Sequence, residues 1–271
     1  MRGNMRKQFQ AAIAVTSLLA GAASLFAQAG PSAPAADAEQ PGALSRATLA
    51  KPHPKPAFDL TGTWQHGGGQ NNGFRFTPPP GTKLTPAAQV QFDNSEKARK
   101  AGKVYRDDIG QCWPAGLPVI MTRVWPIAMV QGPTTIFMIS GFMNSTRIIY
   151  LDGRKHTDPD LVVRSFNGES IGHWEGDTLV VDTTGFVDDH HWVDNGIPGS
   201  DALHVVERMK LINNGATLEI EYTFTDPRSW EGSWTSTKRF HREETTDITE
   251  ASCLPDLNAH LPSTSSSVNV R

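Results

Sequence analysis

The sequence predicts an all-β protein, an antiparallel barrel or sandwich of about eight or nine strands with one helix on its N-terminal side. Three observations carry this. Short apolar or alternating runs recur at 59–65, 127–131, 134–140, 146–151, 169–174, 178–184, 203–213, 217–225 and 232–240, separated by Gly, Asn and Asp turns. Only one stretch carries both helix start and helix stop signals. With so few helices between strands, a parallel α/β sheet is excluded.

The helix is 86–101. Thr85 can cap it, Pro86 suits its first position, and Gly102 ends it. The hairpin at 203–225 can be put in register, because Asn214-Gly215 is a favoured two-residue turn. Counting outward pairs Leu211 with Leu218, Met209 with Ile220 and Val205 with Phe224. The other face pairs Lys210 with Glu219 and Arg208 with Glu221, as a solvated face would. Glu207 breaks the pattern, since it falls on the apolar face opposite Tyr222. A carboxylate there must be hydrogen-bonded, paired or protonated. A structural partner and a functional acid are equally open readings.

The ends set compartment and domain limits. Arg2, Arg6 and Lys7 precede an apolar run from Ala11 to Phe26, and Ala27-Gln28-Ala29 supplies a small-x-small cleavage pattern. Residues 1–29 therefore read as a secretory signal, too short to span a membrane. Residues 30–56, rich in Pro, Ala, Gly and Ser, read as a flexible linker. Residues 57–258 are the folding domain and 259–271 a disordered tail. Loss of the signal removes three positive charges and takes the formal charge from −3 to −6. An acidic chain without a basic cluster argues against nucleic acid and against an anionic membrane surface. An exported, periplasmic or extracellular chain with only Cys112 and Cys253 is expected to join them in a disulfide, worth roughly 4–5 kcal/mol in the chain-entropy model.

The stretch "DLTGTW" from Asp59 to Trp64 resembles the Gly-x-Trp opening of lipocalin-type barrels, which implies a lipocalin-like barrel rather than a sandwich. More specifically, the chain resembles a large group of exported bacterial proteins of unassigned activity. The matching residues are "CWPAGLP" from Cys112, "DGR" at 152–154, "GESIGHWEGDTLVVDT" from Gly168, "ER" at Glu207-Arg208 and "DP" at Asp226-Pro227. They cover about residues 58 to 255. Val119 and Ile120 stand where the group leads one to expect an Arg, and Glu169 where a His is common. If those positions meet a ligand's polar group, this chain takes a different ligand.

Two polar segments hold the candidate site residues. In "GHWEGDTLVVDTTGF" (172–186), a two-residue turn at Glu175-Gly176 puts His173 on one face with Ile171, Val180 and Asp182. A three-residue turn through Asp177 instead puts it with Leu179 and Val181. The first arrangement suits a general base, the second a core histidine. The run 188–194 includes His190, His191 and Trp192, and reads as a loop over a barrel mouth that could sit on a ligand. Adjacent histidines and no third spaced ligand argue against a metal site. Arg147 and Arg154 could each hold a ligand anion, or pair with Asp152 or Glu207. "GGG" at 67–69 has neither the Lys nor the helix of a phosphate cradle.

Seven tryptophans and twelve phenylalanines in a β domain can line a pocket with a polar end. The leading expectation is an exported barrel that binds a small, partly apolar or aromatic metabolite. It would act without cofactor or metal, as an acid–base lyase or isomerase. His173 would be oriented by Asp182, Glu207 and Tyr222 would form a second proton-handling pair, and an Arg would hold an anionic group. A carrier without turnover and a structural envelope protein are the alternatives.

Overall fold

The computed structural model describes residues 40–67, 73–103, 105–106, 108–194 and 196–254. The signal segment, the first part of the expected linker, most of the glycine-rich loop and the tail lie outside the described residues. The chain divides into two units, Met1–Gln40 and Pro41–Arg271, and the second is the subject below. Among the described residues no helix is long and apolar enough to cross a membrane.

The nine predicted runs all form strands. In chain order the elements are α1 (Arg46–Leu49), β1 (Gly62–His66), α2 (Pro86–Lys100), a 3-10 turn (Val119–Thr122), β2 (Ile127–Gln131), β3 (Thr135–Ser140), β4 (Thr146–Tyr150), β5 (Glu169–Glu175), β6 (Thr178–Thr184), β7 (Trp192–Asp194), β8 (Ile197–Pro198), β9 (His204–Ile212), β10 (Thr217–Thr225) and β11 (Ser233–Glu243). Nine strands close a barrel in the order β1-β11-β10-β9-β6-β5-β4-β3-β2, and β7 and β8 form a separate small hairpin. One pair departs from the antiparallel expectation. β4 and β5 run parallel, with Ile149 beside Ser170 and Tyr150 beside Ile171. The crossover 151–168 carries the chain back before β5 begins, a tertiary choice that no local pattern announces.

Local chemistry explains the elements. Thr85 Oγ1 accepts from Ala88 N at 3.3 Å at the start of α2, where Pro86 needs no partner for a missing N–H. The β9–β10 register is the one counted from Asn214-Gly215, from Leu211–Leu218 through Glu207–Tyr222 to Val205–Phe224. The outward charges, however, pair elsewhere: Arg208 with Glu175, Lys210 with Asp177, and Glu219 with Arg239.

The expected linker is different in its described part. Ser45 caps the short helix α1, Ala43 and Thr48 are buried, and Thr134 Oγ1 donates to Ala43 O at 2.8 Å. Composition reads this stretch as flexible because it cannot report a contact ninety-odd positions downstream.

Inward positions alternate along every barrel strand and are filled by buried Trp64, Met129, Met138, Met209, Tyr222 and Phe240. Trp64 Nε1 donates to Leu60 O at 2.9 Å, and the Arg242 guanidinium lies over the indole at 4.2 Å. Phe76 adds to the core from a loop, edge-on to Tyr222 and Phe224. Lys238 Nζ donates to Gly73 O and Arg75 O, which ties that loop to β11.

Candidate functional site

The β5–β6 turn is Gly176-Asp177, which differs from both turns considered above. Gly176 adopts φ 61°, the positive value the first turn position needs. The face is still that of the first reading: His173 opposes Val180, and Ile171 opposes Asp182. That face is the outside of the barrel. His173 is exposed, with Nε2 3.1 Å from Glu175 Oε1. Asp182 is not its partner, because its two oxygens are taken by other histidines.

Those histidines form an outer-face chain of four side chains. Asp182 Oδ2 lies 2.8 Å from His204 Nε2, and Oδ1 lies 2.9 Å from His156 Nε2. His156 Nδ1 lies 3.0 Å from Glu169 Oε2, and Glu169 also accepts from Thr157 N and Thr157 Oγ1. Burial works against ionising Asp182, but hydrogen bonds and positive charge from His204 and His156 outweigh it, and its carboxyl sits below the usual range. Glu169 follows the same logic, with Thr157 and His156 offsetting burial. The bond to Asp182 raises His204 above its ordinary value, against burial. His156 lies in the crossover and His204 opens β9, which neighbours β6. Sequence reasoning missed both, because neither is close to Asp182 along the chain.

Inside the barrel, Glu207 is fully buried and met by Arg147. Nη1 donates to Oε1 at 3.0 Å and Nη2 to Oε2, a bidentate pair. Arg147 Nε donates to Ser170 Oγ and Nη2 to Thr183 Oγ1, both at 3.0 Å. The structural partner left open for Glu207 is therefore Arg147. Tyr222 sits beside it by register, its hydroxyl buried without a hydrogen-bond partner among the described residues. Burial, then the nearby Glu207 charge, pushes that phenol well above its ordinary value. His173 and Glu207 thus lie on opposite sides of the barrel wall and share no cavity.

Arg154 pairs with Asp152 at 2.7 Å and stacks over Tyr150 at 3.9 Å. In the loop 188–191, His191 is buried and Nε2 donates to Leu117 O at 2.7 Å; burial drops its pKa to about 4. Trp192 Nε1 donates to Asp108 Oδ2 at 2.6 Å. His190, at φ 57°, stacks on Trp113 at 3.8 Å and borders a cavity of about 190 Å³. The His190 ring is held too, with Nδ1 3.2 Å from Oδ1 of the buried Asp108, so all three side chains are bonded within the fold.

A larger cleft, of about 580 Å³, lies where β4 and β5 splay apart. Outward-facing Thr146, Ile148 and Tyr150 form one wall, and Ser165, Phe166 and Asn167 another. Met143, Pro114 and Arg147 contribute further, and the Cys112–Cys253 disulfide closes one side. The wall at 165–168 is held by Leu117 N donating to Phe166 O at 2.9 Å and by the bridge between Ser165 and Phe186. Gly168 permits the turn into β5: it has φ 64°, and a Cβ there would stand 2.5 Å from Thr184 O.

No protein-family model matches the chain, and a search of curated proteins found no match.

Proposed function

We propose that the protein binds a small, partly apolar molecule, and that the binding site is the cleft beside β4 rather than the barrel interior. The observation that carries this is the cleft itself. Its volume of about 580 Å³ falls within the roughly 300–1,000 Å³ of small-molecule sites, and its lining mixes Phe166, Tyr150, Ile148 and Met143 with a few polar groups. The inward positions of the barrel, in contrast, hold packed side chains. The Cys112–Cys253 bridge and the sequence of residues 1–29 support an exported, periplasmic or extracellular location. The membership suggested by "GESIGHWEGDTLVVDT" and a lipocalin-like origin stay part of this reading.

The test is titration with N-phenyl-1-naphthylamine, a neutral fluorescent probe of apolar sites. Saturable enhancement in the wild type and its loss in Ile148→Trp, which fills the cleft from an outward position, is the expected result. Enhancement unchanged in that variant would move the site elsewhere; none in the wild type would sink the reading.

Turnover as a metal-free lyase or isomerase is the second reading, and the Asp182–His204 contact favours it. A carboxylate that orients an imidazole and raises its basicity is the arrangement of a general base. Here the pair replaces His173 in that role. Turnover that persists unchanged in His204→Gln would remove it.

A further inference from the structure

Over most of the barrel the outer face is polar, as a sheet with one solvated side requires. Every barrel strand from β5 to β11 turns a charged side chain outward, Asp182 on β6 and Glu219 on β10 among them. Three adjacent strands depart from this. The outward positions of β2, β3 and β4 hold Ala128 and Val130, Phe137 and Ile139, and Ile148 and Tyr150, the rest being threonines. No charge stands among them.

These apolar residues are in register. Ile148 lies beside Phe137 and Phe137 beside Val130, so one row crosses three strands, with Ile139 and Ala128 in the next row. Val130 is 52% exposed. Phe137, Ile139 and Ile148 are partly exposed and do not pack on the buried core. On β1 the stripe ends at polar Thr63, beside Ala128. At its other end Ile148 and Tyr150 already belong to the cleft wall, so cleft and stripe form one continuous surface. With strands about 4.8 Å apart and same-face residues about 6.6 Å apart, the stripe covers on the order of 200 Å². A stable protein interface takes about 800 Å² from each partner, so the stripe has the scale of a small ligand's tail and not of a protein.

Arg147 is the only charged residue lining the cleft among the described residues, and its guanidinium is buried and held by Glu207. The sequence-based expectation of an Arg that holds a ligand anion is not served here. Resting on the cleft as the binding site, we infer that its ligand is a neutral molecule longer than the cleft. A compact head sits between β4 and 165–168, and an aliphatic tail lies along Ile148, Phe137 and Val130. Aliphatic alcohols, straight or isoprenoid, are the class that fits; a carboxylate would lose hydration without gaining a counter-charge. Phe137 and Val130 thereby set the tail length that the site rewards.

The experiment compares 1-hexanol, 1-octanol, 1-decanol and decanoate at neutral pH, by displacement of N-phenyl-1-naphthylamine and by calorimetry on the full chain. In the wild type each added pair of methylenes should tighten binding about fourfold, half the free energy of complete burial. Decanol should bind more tightly than decanoate. Phe137→Ser should remove most of the gain from hexanol to decanol and leave hexanol unchanged. Val130→Asp, at the most exposed position of the row, should do the same without threatening the fold. A gain that survives in both variants, no gain in the wild type, or tighter binding of decanoate would overturn the inference and leave the cleft as a binding site. Concentration-dependent sedimentation of the wild type that Val130→Asp abolishes would assign the stripe to a second copy of the chain and overturn it too. Failure of every alcohol to displace a probe that does bind has the same consequence, whereas failure of the probe itself would remove the underlying reading.

Discussion

Arg147 on β4 and Glu207 on β9 form a bidentate ion pair inside the barrel, each side chain almost completely buried. The pair explains how a carboxylate can occupy the apolar face of β9. Desolvating either ion alone is prohibitive, and each removes that cost for the other. Glu207→Gln or Arg147→Met should therefore destabilise by about 3–5 kcal/mol, since each leaves one buried charge unmet. Replacing both with apolar residues of similar volume should restore most of the loss. Urea unfolding of the two single variants and the double variant measures this; additive losses would show that the pair is not coupled.

Tyr222, beside Glu207, makes the opposite prediction. Its hydroxyl has no partner among the described residues, so Tyr222→Phe removes a desolvation penalty without breaking a bond. Stability should be unchanged or rise by up to about 1 kcal/mol. A loss of several kcal/mol in the same unfolding assay would show that the phenol is satisfied, and would return it to consideration as a functional group.

The Cys112–Cys253 bridge joins residues separated by 141 positions. Constraining so long a loop in the unfolded chain contributes about 5 kcal/mol in the entropy model. Reduction, or Cys112→Ser with Cys253→Ser, should lower the melting temperature by several degrees. Because both cysteines line the cleft, probe binding should weaken in the same samples. Weaker binding without a stability change would place the effect in the cleft wall alone.

The chain Glu169–His156–Asp182–His204 predicts a stability maximum in mildly acidic solution. Asp182 and Glu169 titrate below their ordinary values of 3.8 and 4.5, so their contribution is present above those values and lost as pH falls through the lower folded ones. His204 titrates above its ordinary 6.5, so its contribution is complete below that value and lost as pH rises through the raised one. Thermal unfolding as a function of pH should show both limbs. Asp182→Asn should flatten the alkaline limb and shrink the acid one. An unaltered alkaline limb in that variant would mean that His204 is not coupled to Asp182.

Much of the barrel was legible in the residues. Short apolar or alternating runs between Gly, Asn and Asp turns located all nine strands, because a strand buried on one face repeats its apolar side chains every second residue and one buried on both faces is apolar throughout. Asn214-Gly215 set the β9–β10 register, and that register exposed Glu207 as an exception inside the core. The helix limits followed from Thr85, Pro86 and Gly102, and the disulfide from two cysteines in a chain read as exported.

Partnership was decided only by the tertiary structure. That β6 lies beside β9, and β4 beside β5 in parallel, depends on chain closure, which leaves no periodic mark. Those two adjacencies brought His204 and His156 to Asp182 and placed His173 on the open surface. The cleft lies between β4 and the segment 165–168 that leads into β5, two stretches that the parallel pairing brings together. Local sequence specifies backbone conformation and which face a side chain takes. Which charges neutralise each other, and where a cavity remains, is set by contacts across long separations, where the energetic balance is decided by burial.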